Sequence, residues 1–298
     1  MAEYLRSDEV LACVHRVALS RGAPFSYALP PPSPEIERRR RSAAEHRERV
    51  IDALTLVHPD VVTPASVEET SRLLREGCEL IVRPRLARDE AAHRSASVHL
   101  LVRVGRDEER FAYSPIVIKN HEVVEVASTR RILEGSLERL RPSEAEYVDG
   151  YGTRSALPMT RSGLALAQAT RVLEALGHAD PAARVGIVDR QERLWWFELA
   201  TSSYPRFNLV TYDRLYRERL DVLVAHEEWA RHDGAFPTAP YWHRECPECP
   251  FREYCEEQLE KLDDVSLVRF TSFSQQLLMR EHDVETRAQL ARLDPARA

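Results

Sequence analysis

Cys246-Pro-Glu-Cys249-Pro-Phe-Arg-Glu-Tyr-Cys255 puts three cysteines within ten residues, spaced C-x2-C-x5-C. The remaining two of the five cysteines lie far upstream, Cys13 in Leu11-Ala-Cys-Val-His-Arg16 and Cys78 in Arg75-Glu-Gly-Cys-Glu-Leu-Ile81. Thiolates grouped this tightly suit a metal or an iron–sulfur cluster, since four cysteine sulfurs ligate a cubane. Zinc also accepts four thiolates, although its structural sites commonly pair two short C-x2-C hooks, and only one such hook is present. A cluster, zinc and no metal are the three readings, and Cys13 and Cys78 are the two cysteines left to complete a set of four. Cys78 opens an expected strand, where a small packed residue is ordinary.

The chain has 298 residues, 43% of them apolar, enough for one large domain or two smaller ones. No run of 18 apolar residues occurs, so no membrane-spanning helix is expected. The opening Met1-Ala-Glu-Tyr-Leu-Arg-Ser-Asp8 is charged and lacks the apolar core of a signal peptide. An odd cysteine count without such a signal fits a reducing cytoplasm. The net charge of −6 does not mark a nucleic-acid binder, but lysine occurs only at Lys119 and Lys261 among 42 cations. Arginine presents a fork of donors to phosphate, and codon bias explains the excess equally well.

Pattern along the chain predicts α/β or α+β structure. Residues 1–22 read as a helix capped by Ser7 or Asp8, followed by an extended proline-rich linker, Leu29-Pro-Pro-Pro-Ser-Pro34. A charged helix runs from Arg38–Arg41 to about Leu56, and another spans 68–77. Strands are expected at 79–85, 97–104 and 112–119, the last two joined by a turn at Gly105-Arg-Asp107, with 123–127 extending the sheet. A helix at 162–176, a hairpin at 183–188 and 194–199, and a helix at 214–231 precede the cysteine run. Two short helices, about 265–280 and 284–293, close the chain.

A cysteine in an N-terminal helix, a β-hairpin carrying Ile116-Val-Ile-Lys119 and a closing C-x2-C-x5-C resemble the iron–sulfur branch of the RecB-like PD-(D/E)XK nucleases. That branch includes the AddB nuclease domain and the CRISPR-associated RecB-like exonucleases. The likeness covers roughly residues 5–260 and is strongest at its ends. It implies a mixed sheet flanked by helices, and a [4Fe–4S] cluster held by Cys13, Cys246, Cys249 and Cys255. Such a cross-link closes a loop of more than two hundred residues, worth about 5 kcal/mol in the chain-entropy model for disulfides. The implied domains are a nuclease-fold domain over 1–262 and a helical, helix-hairpin-helix-like tail over 263–298. The tail lacks the usual hairpin glycine and has His282-Asp283 instead, so a plain two-helix cap is the other reading.

The catalytic half departs from the family. Its nuclease centre needs an acid on one strand and Asp/Glu-x-Lys on the next; the carboxylates bind Mg2+ or Mn2+, and the lysine offsets developing charge. Here His99 stands where the first acid belongs and Val117 where the second does, while Lys119 and the upstream His46 are kept. Gln168 lies near the family's later Gln/Tyr motif, out of register. Asp89, Glu90, Glu122 and Glu125 flank the strands as solvated loop charges, and His121 is a further histidine nearby. The expectation is a fold kept and a chemistry lost: a [4Fe–4S] protein of DNA repair or recombination. It would bind single- or double-stranded DNA, with a helicase or repair protein as a partner. Lys119, Arg83, Arg85 and Arg103 are the expected phosphate contacts, Arg83 and Arg85 sharing one strand face. Trp195-Trp-Phe197 and Tyr241-Trp-His243 could stack on bases or pack in the core, and Arg38–Arg41 could steer phosphate or cover a helix. The alternatives are an active Mg2+/Mn2+-dependent exonuclease, and a protein-interaction module using the old groove.

Overall fold

The computed structural model describes residues 4–25, 30–107, 110–204, 206–232, 234–243, 245–269, 271 and 273–293. The chain forms two compact units: one comprises the residues up to Leu11 together with Pro32–Arg217, the other Ala12–Pro31 and the residues from Glu218 onward.

The first unit is mixed α/β. Helices α2 (Pro34–Val57) and α3 (Val67–Glu76) lead into strands β2 (Leu80–Val82), β3 (Arg94–Ser95), β4 (Leu100–Asp107) and β5 (Arg110–Ile118). A long hairpin, β6 (Val124–Gly135) and β7 (Glu146–Thr153), precedes α4 (Leu157–Leu176), β8 (Arg184–Val188) and β9 (Leu194–Glu198). The seven-stranded sheet has the order β2-β4-β5-β8-β9-β6-β7. Only β5 and β8 pair in parallel. A parallel pair needs a long crossover, and here the crossover contains the hairpin and α4. Strand β5 is buried without alternation from Ala112 to Ile118, as a strand covered on both faces must be. On one face Val50, Ile51 and Leu54 of α2 join Leu100, Val102, Ile116, Ile118 and Val188 in the core. Helix α4, with Met159, Leu164 and Leu166 among its buried residues, packs against β5 and β8.

Local chemistry explains the helix ends. Ser33 caps α2 by accepting from Ile36 N, with Pro34 in the first turn, so the helix starts before the arginine run. Ser66 caps α3 in the same way, and Gly77 ends it in the left-handed region, φ 76°.

The expected N-terminal helix does not form. Leu5–Arg6 is a short strand, β1, parallel to β3, and Leu5 N donates to His93 O. Glu9 accepts from Arg6 N and closes a turn, leaving only Val14–Leu19 as helix α1. Strand β2 stops at Val82, and Arg83 has φ 50°, so strand alternation does not govern Arg83 and Arg85. No turn occurs at Gly105: β4 continues to Asp107, and the register shifts between Arg103 and Gly105. The β6–β7 hairpin is much longer than the expected 123–127.

The second unit holds α1, the end of α5 (Leu209–His232), a 3-10 turn at Cys246–Glu248, α6 (Arg252–Lys261), α7 (Phe273–Glu281) and α8 (Arg287–Leu290). Instead of a helix from 265, a single 3-10 turn, Val265–Leu267, follows α6. Between α7 and α8, Asp283 takes φ 60°, the backbone state a hairpin glycine would supply. Thr286 and Gln289 form a capping box on α8. Gln276 Nε2 donates to Trp242 O and Trp242 N to Ser266 Oγ, so the tail caps the segment that leads into the cysteine run. Among the described residues no helix is long and apolar enough to cross a membrane.

Candidate functional site

The second unit gathers Cys13, Cys246, Cys249 and Cys255 around one small cavity, with His15, Arg16, Tyr241, Glu245 and Phe251 in the same wall. Cys13 is the N-cap of α1, in extended conformation, and its carbonyl accepts from Val17 N. Pro247 follows Cys246 in a 3-10 turn, so Cys249 N donates back to Cys246 O at 3.0 Å. That turn is what brings the two thiols of a C-x2-C hook to one side. Cys255 enters from the first turns of α6, its N–H donating to Phe251 O. His243 N donates to Cys246 Sγ at 3.2 Å.

Burial pushes the Cys246 thiol up to about 11 and Cys255 up to about 12, and raises Cys249 as well. Neighbouring cysteines add to each shift: Cys13 acts on all three, and Cys246 and Cys249 act on Cys255. Tyr241 is likewise raised, first by burial and then by Cys13, with which its hydroxyl is hydrogen-bonded. Four thiols, Cys246 buried and the others half-buried, held within electrostatic reach of one another repel as thiolates, and a cation group among them reverses that sign. The donor set therefore suits a thiolate-ligated metal group. Among the described residues no three His, Cys, Asp or Glu side chains converge closely enough to grip a single ion; the cysteines share a cavity wall rather than one point. Cys78 belongs to the first unit, where its Sγ donates to Leu80 O at 3.5 Å.

In the first unit the register brings together residues singled out from the sequence. Leu100 pairs with Ile116, so one step outward His99 stands opposite Val117. Strand alternation then sets Val117 and Lys119 on one face. His99 N donates to Ile116 O, and Ile118 N donates to His99 Nδ1 at 2.6 Å. Lys119 N donates to Val188 O, and the next residue's carbonyl, Asp189 O, accepts from His46 Nε2 at 3.0 Å. His99 and Lys119 are thus within electrostatic reach of one another, and His46 is anchored at the end of β8, one residue past the carbonyl that Lys119 N meets. His121 is nearby, its Nε2 paired with Ser162 Oγ at 3.3 Å.

The electrostatics there are cationic. Burial lowers the His99 pKa to about 3, with Lys119, Arg47 and Arg83 lowering it further. Burial and then Arg47 lower the Lys119 pKa, with no carboxylate among the causes. Arg47 was not singled out from the sequence, although it directly follows His46. The acids are committed elsewhere. Asp189 accepts from Gln191 N, Arg193 N and Trp195 Nε1 and so shapes the β8–β9 turn. Asp89 accepts from Ala92 N and Arg94, Glu90 from Tyr4, Glu122 from Arg154 and Glu125 from Ser155 N.

The other candidates separate. Arg83 is exposed beside the centre and paired with Glu48, and Arg85 is exposed one turn of chain later. Arg103 lies opposite Tyr113, six residues before Lys119 and about 20 Å along the strand. It is bound to Glu79 and to Gly77 O, outside the group around Lys119. Trp195, Trp196 and Phe197 are fully buried in β9 and pack in the core. Tyr241 lines the cysteine cavity, and the Trp242 ring lies under Arg252. Arg38–Arg41 are exposed along the first turns of α2. Gln168, fully buried, donates to Leu5 O and Ser95 O and accepts from Tyr212, which ties β1 and β3 to α4.

Comparison of the chain with protein-family models, with curated proteins and with solved structures gave no match.

Proposed function

We propose that this chain is an iron–sulfur, DNA-binding protein of the RecB/AddB-like PD-(D/E)XK type whose nuclease centre has been lost, acting in DNA repair or recombination. The observation that carries the reading is the meeting of Cys13 with Cys246, Cys249 and Cys255 in one cavity, from sequence positions more than two hundred residues apart. A cubane presents a separate iron corner to each thiolate, so its four ligands need share only a cavity. Once bound, it would cross-link the two chain segments of the second unit.

Two further features support the family reading. The sheet is mixed and flanked by helices, with β2-β4-β5 antiparallel and β5-β8 parallel, which agrees with the mixed sheet the resemblance implies. By the resemblance, His99, Val117 and Lys119 correspond to the family's acid, acid and lysine. Neutral imidazole and an alkyl group cannot hold Mg2+, which takes carboxylate and water oxygens. Lys119, whose shift has no carboxylate among its causes, and Arg47, which shares Glu48 with Arg83, instead favour a phosphate. Binding, not hydrolysis, is the activity this set of groups suits.

Two measurements on the full chain test the reading. Anaerobically purified protein should contain iron and acid-labile sulfide at about four each per chain, with a broad visible absorption band. It should bind labelled DNA with an affinity that falls steeply with salt, without cleaving it in Mg2+ or Mn2+. Zinc in place of iron overturns the cluster; metal-dependent cleavage abolished by Lys119→Ala restores an active exonuclease. Absence of salt-sensitive DNA binding leaves a protein-interaction module.

A further inference from the structure

His15 lies two residues past Cys13 in α1 and is 2% exposed. Its Nδ1 is 2.8 Å from the hydroxyl of Thr238. Phe236 meets the ring edge-on at 5.7 Å, and Tyr254 stacks against it at 6.4 Å. These contacts leave the ring little freedom to turn. His15 also forms part of the wall of the cysteine cavity, and its Nε2 is buried with no hydrogen-bond partner.

Leaving a buried polar atom unpaired is costly. The expense is relieved when the cavity's occupant supplies the partner. The tautomer follows from the sign of that occupant. With the Thr238 hydroxyl donating to Nδ1, the proton sits on Nε2 and can meet an anionic sulfur. The opposite tautomer would aim a lone pair at thiolates, which repels.

We propose that His15 donates a hydrogen bond through Nε2 to a sulfur of the iron–sulfur group held by Cys13, Cys246, Cys249 and Cys255, with Thr238 as the positioning residue that fixes the ring tautomer. The proposal rests on the cluster reading given above. Hydrogen bonds to cluster sulfurs offset negative charge and thereby tune reduction potential, and an outer partner that orients a donor acts on the metal through it. His15 is therefore a determinant of the potential at which the group accepts an electron.

The test compares four anaerobically purified full-length proteins: wild type, His15→Leu, His15→Gln and Thr238→Val. Iron, sulfide and reduction potential are measured for each, and pulsed EPR is recorded on the reduced proteins labelled with 15N-histidine. The expected result is unchanged iron and sulfide in His15→Leu, with a more negative potential and loss of a weak 15N coupling seen in wild type. His15→Gln, which keeps an N–H donor, should stay near wild type, and Thr238→Val should fall between. A His15→Leu potential equal to wild type overturns the proposal, as does a 15N coupling strong enough for direct iron ligation. Should His15→Leu fail to retain iron, an identical potential in wild type, His15→Gln and Thr238→Val overturns it as well. Wild-type protein without iron and sulfide overturns the cluster reading itself, and this proposal with it.

Discussion

Nδ1 of His99 accepts a 2.6 Å hydrogen bond from the backbone N–H of Ile118. The bond holds a neutral imidazole against the strand that leads from Val117 to Lys119. It also links the fold to pH.

His99 has a folded pKa of about 3 against an ordinary 6.5. Below pH 6.5 the unfolded chain takes up a proton that the folded chain refuses, so unfolding is favoured as pH falls. The loss should approach about 1.4 kcal/mol per pH unit between roughly 6.5 and 3, with no contribution above that window. Urea unfolding at pH 7.5, 6 and 5 should show this slope, flattened in His99→Gln. An unchanged slope in the variant would show that His99 is not the group responsible.

Lys119 is disfavoured as a cation by its burial, so its charge is held at a cost to stability. Lys119→Met should raise the unfolding temperature by a few degrees while weakening DNA binding and reducing its logarithmic salt slope by about one. Binding that is unaffected at every salt concentration would remove Lys119 from the interface.

Val117 is 3% exposed and faces His99 across the β4–β5 ladder. The double variant His99→Asp, Val117→Glu should lose several kcal/mol without metal, because buried carboxylates lacking a counter-ion are costly. Mn2+ should restore part of that loss in a thermal melt and leave wild type unmoved. A melt indifferent to Mn2+ would refute the assignment of these two positions.

Replacing Cys255 by Ser removes a thiol from the cavity wall. Iron content should fall, and stability should drop on the order of 3–5 kcal/mol as the long loop loses its cross-link. Cys78→Ser, in the first unit, should leave iron content unchanged.

Gln168 bonds two backbone carbonyls, Leu5 O and Ser95 O, at 2.8 and 2.7 Å. Gln168→Leu strands both acceptors and should lower stability by about 2–4 kcal/mol, with the earliest loss of amide protection at β1 and β3 in hydrogen exchange.

The central strands, helix α4, the β8–β9 hairpin and the C-x2-C-x5-C run were legible because their signals are local. Periodicity, turn chemistry and ligand spacing all act within about ten residues. Strand β1 was misread as helix because its partner β3 lies some ninety residues away, and an apolar periodicity there suits either structure. The β6–β7 hairpin was missed because half of β6 is exposed, including the unbroken run 128–131, which leaves no alternation to read.

The sequence by itself determined that three thiols share one short C-x2-C-x5-C segment, and that a histidine and a valine, His99 and Val117, precede Lys119. Only the tertiary structure decided which distant groups join them. It brought Cys13 into the cavity, set Arg47 beside Lys119, and placed Arg103 about 20 Å along the strand from Lys119. It also spent Trp195–Phe197 on the core and left His15 Nε2 facing the cysteine cavity without a protein partner. The reason is physical: residue type and spacing set what a side chain can do, whereas its burial and charged neighbours depend on strand register and helix packing between residues far apart in the chain.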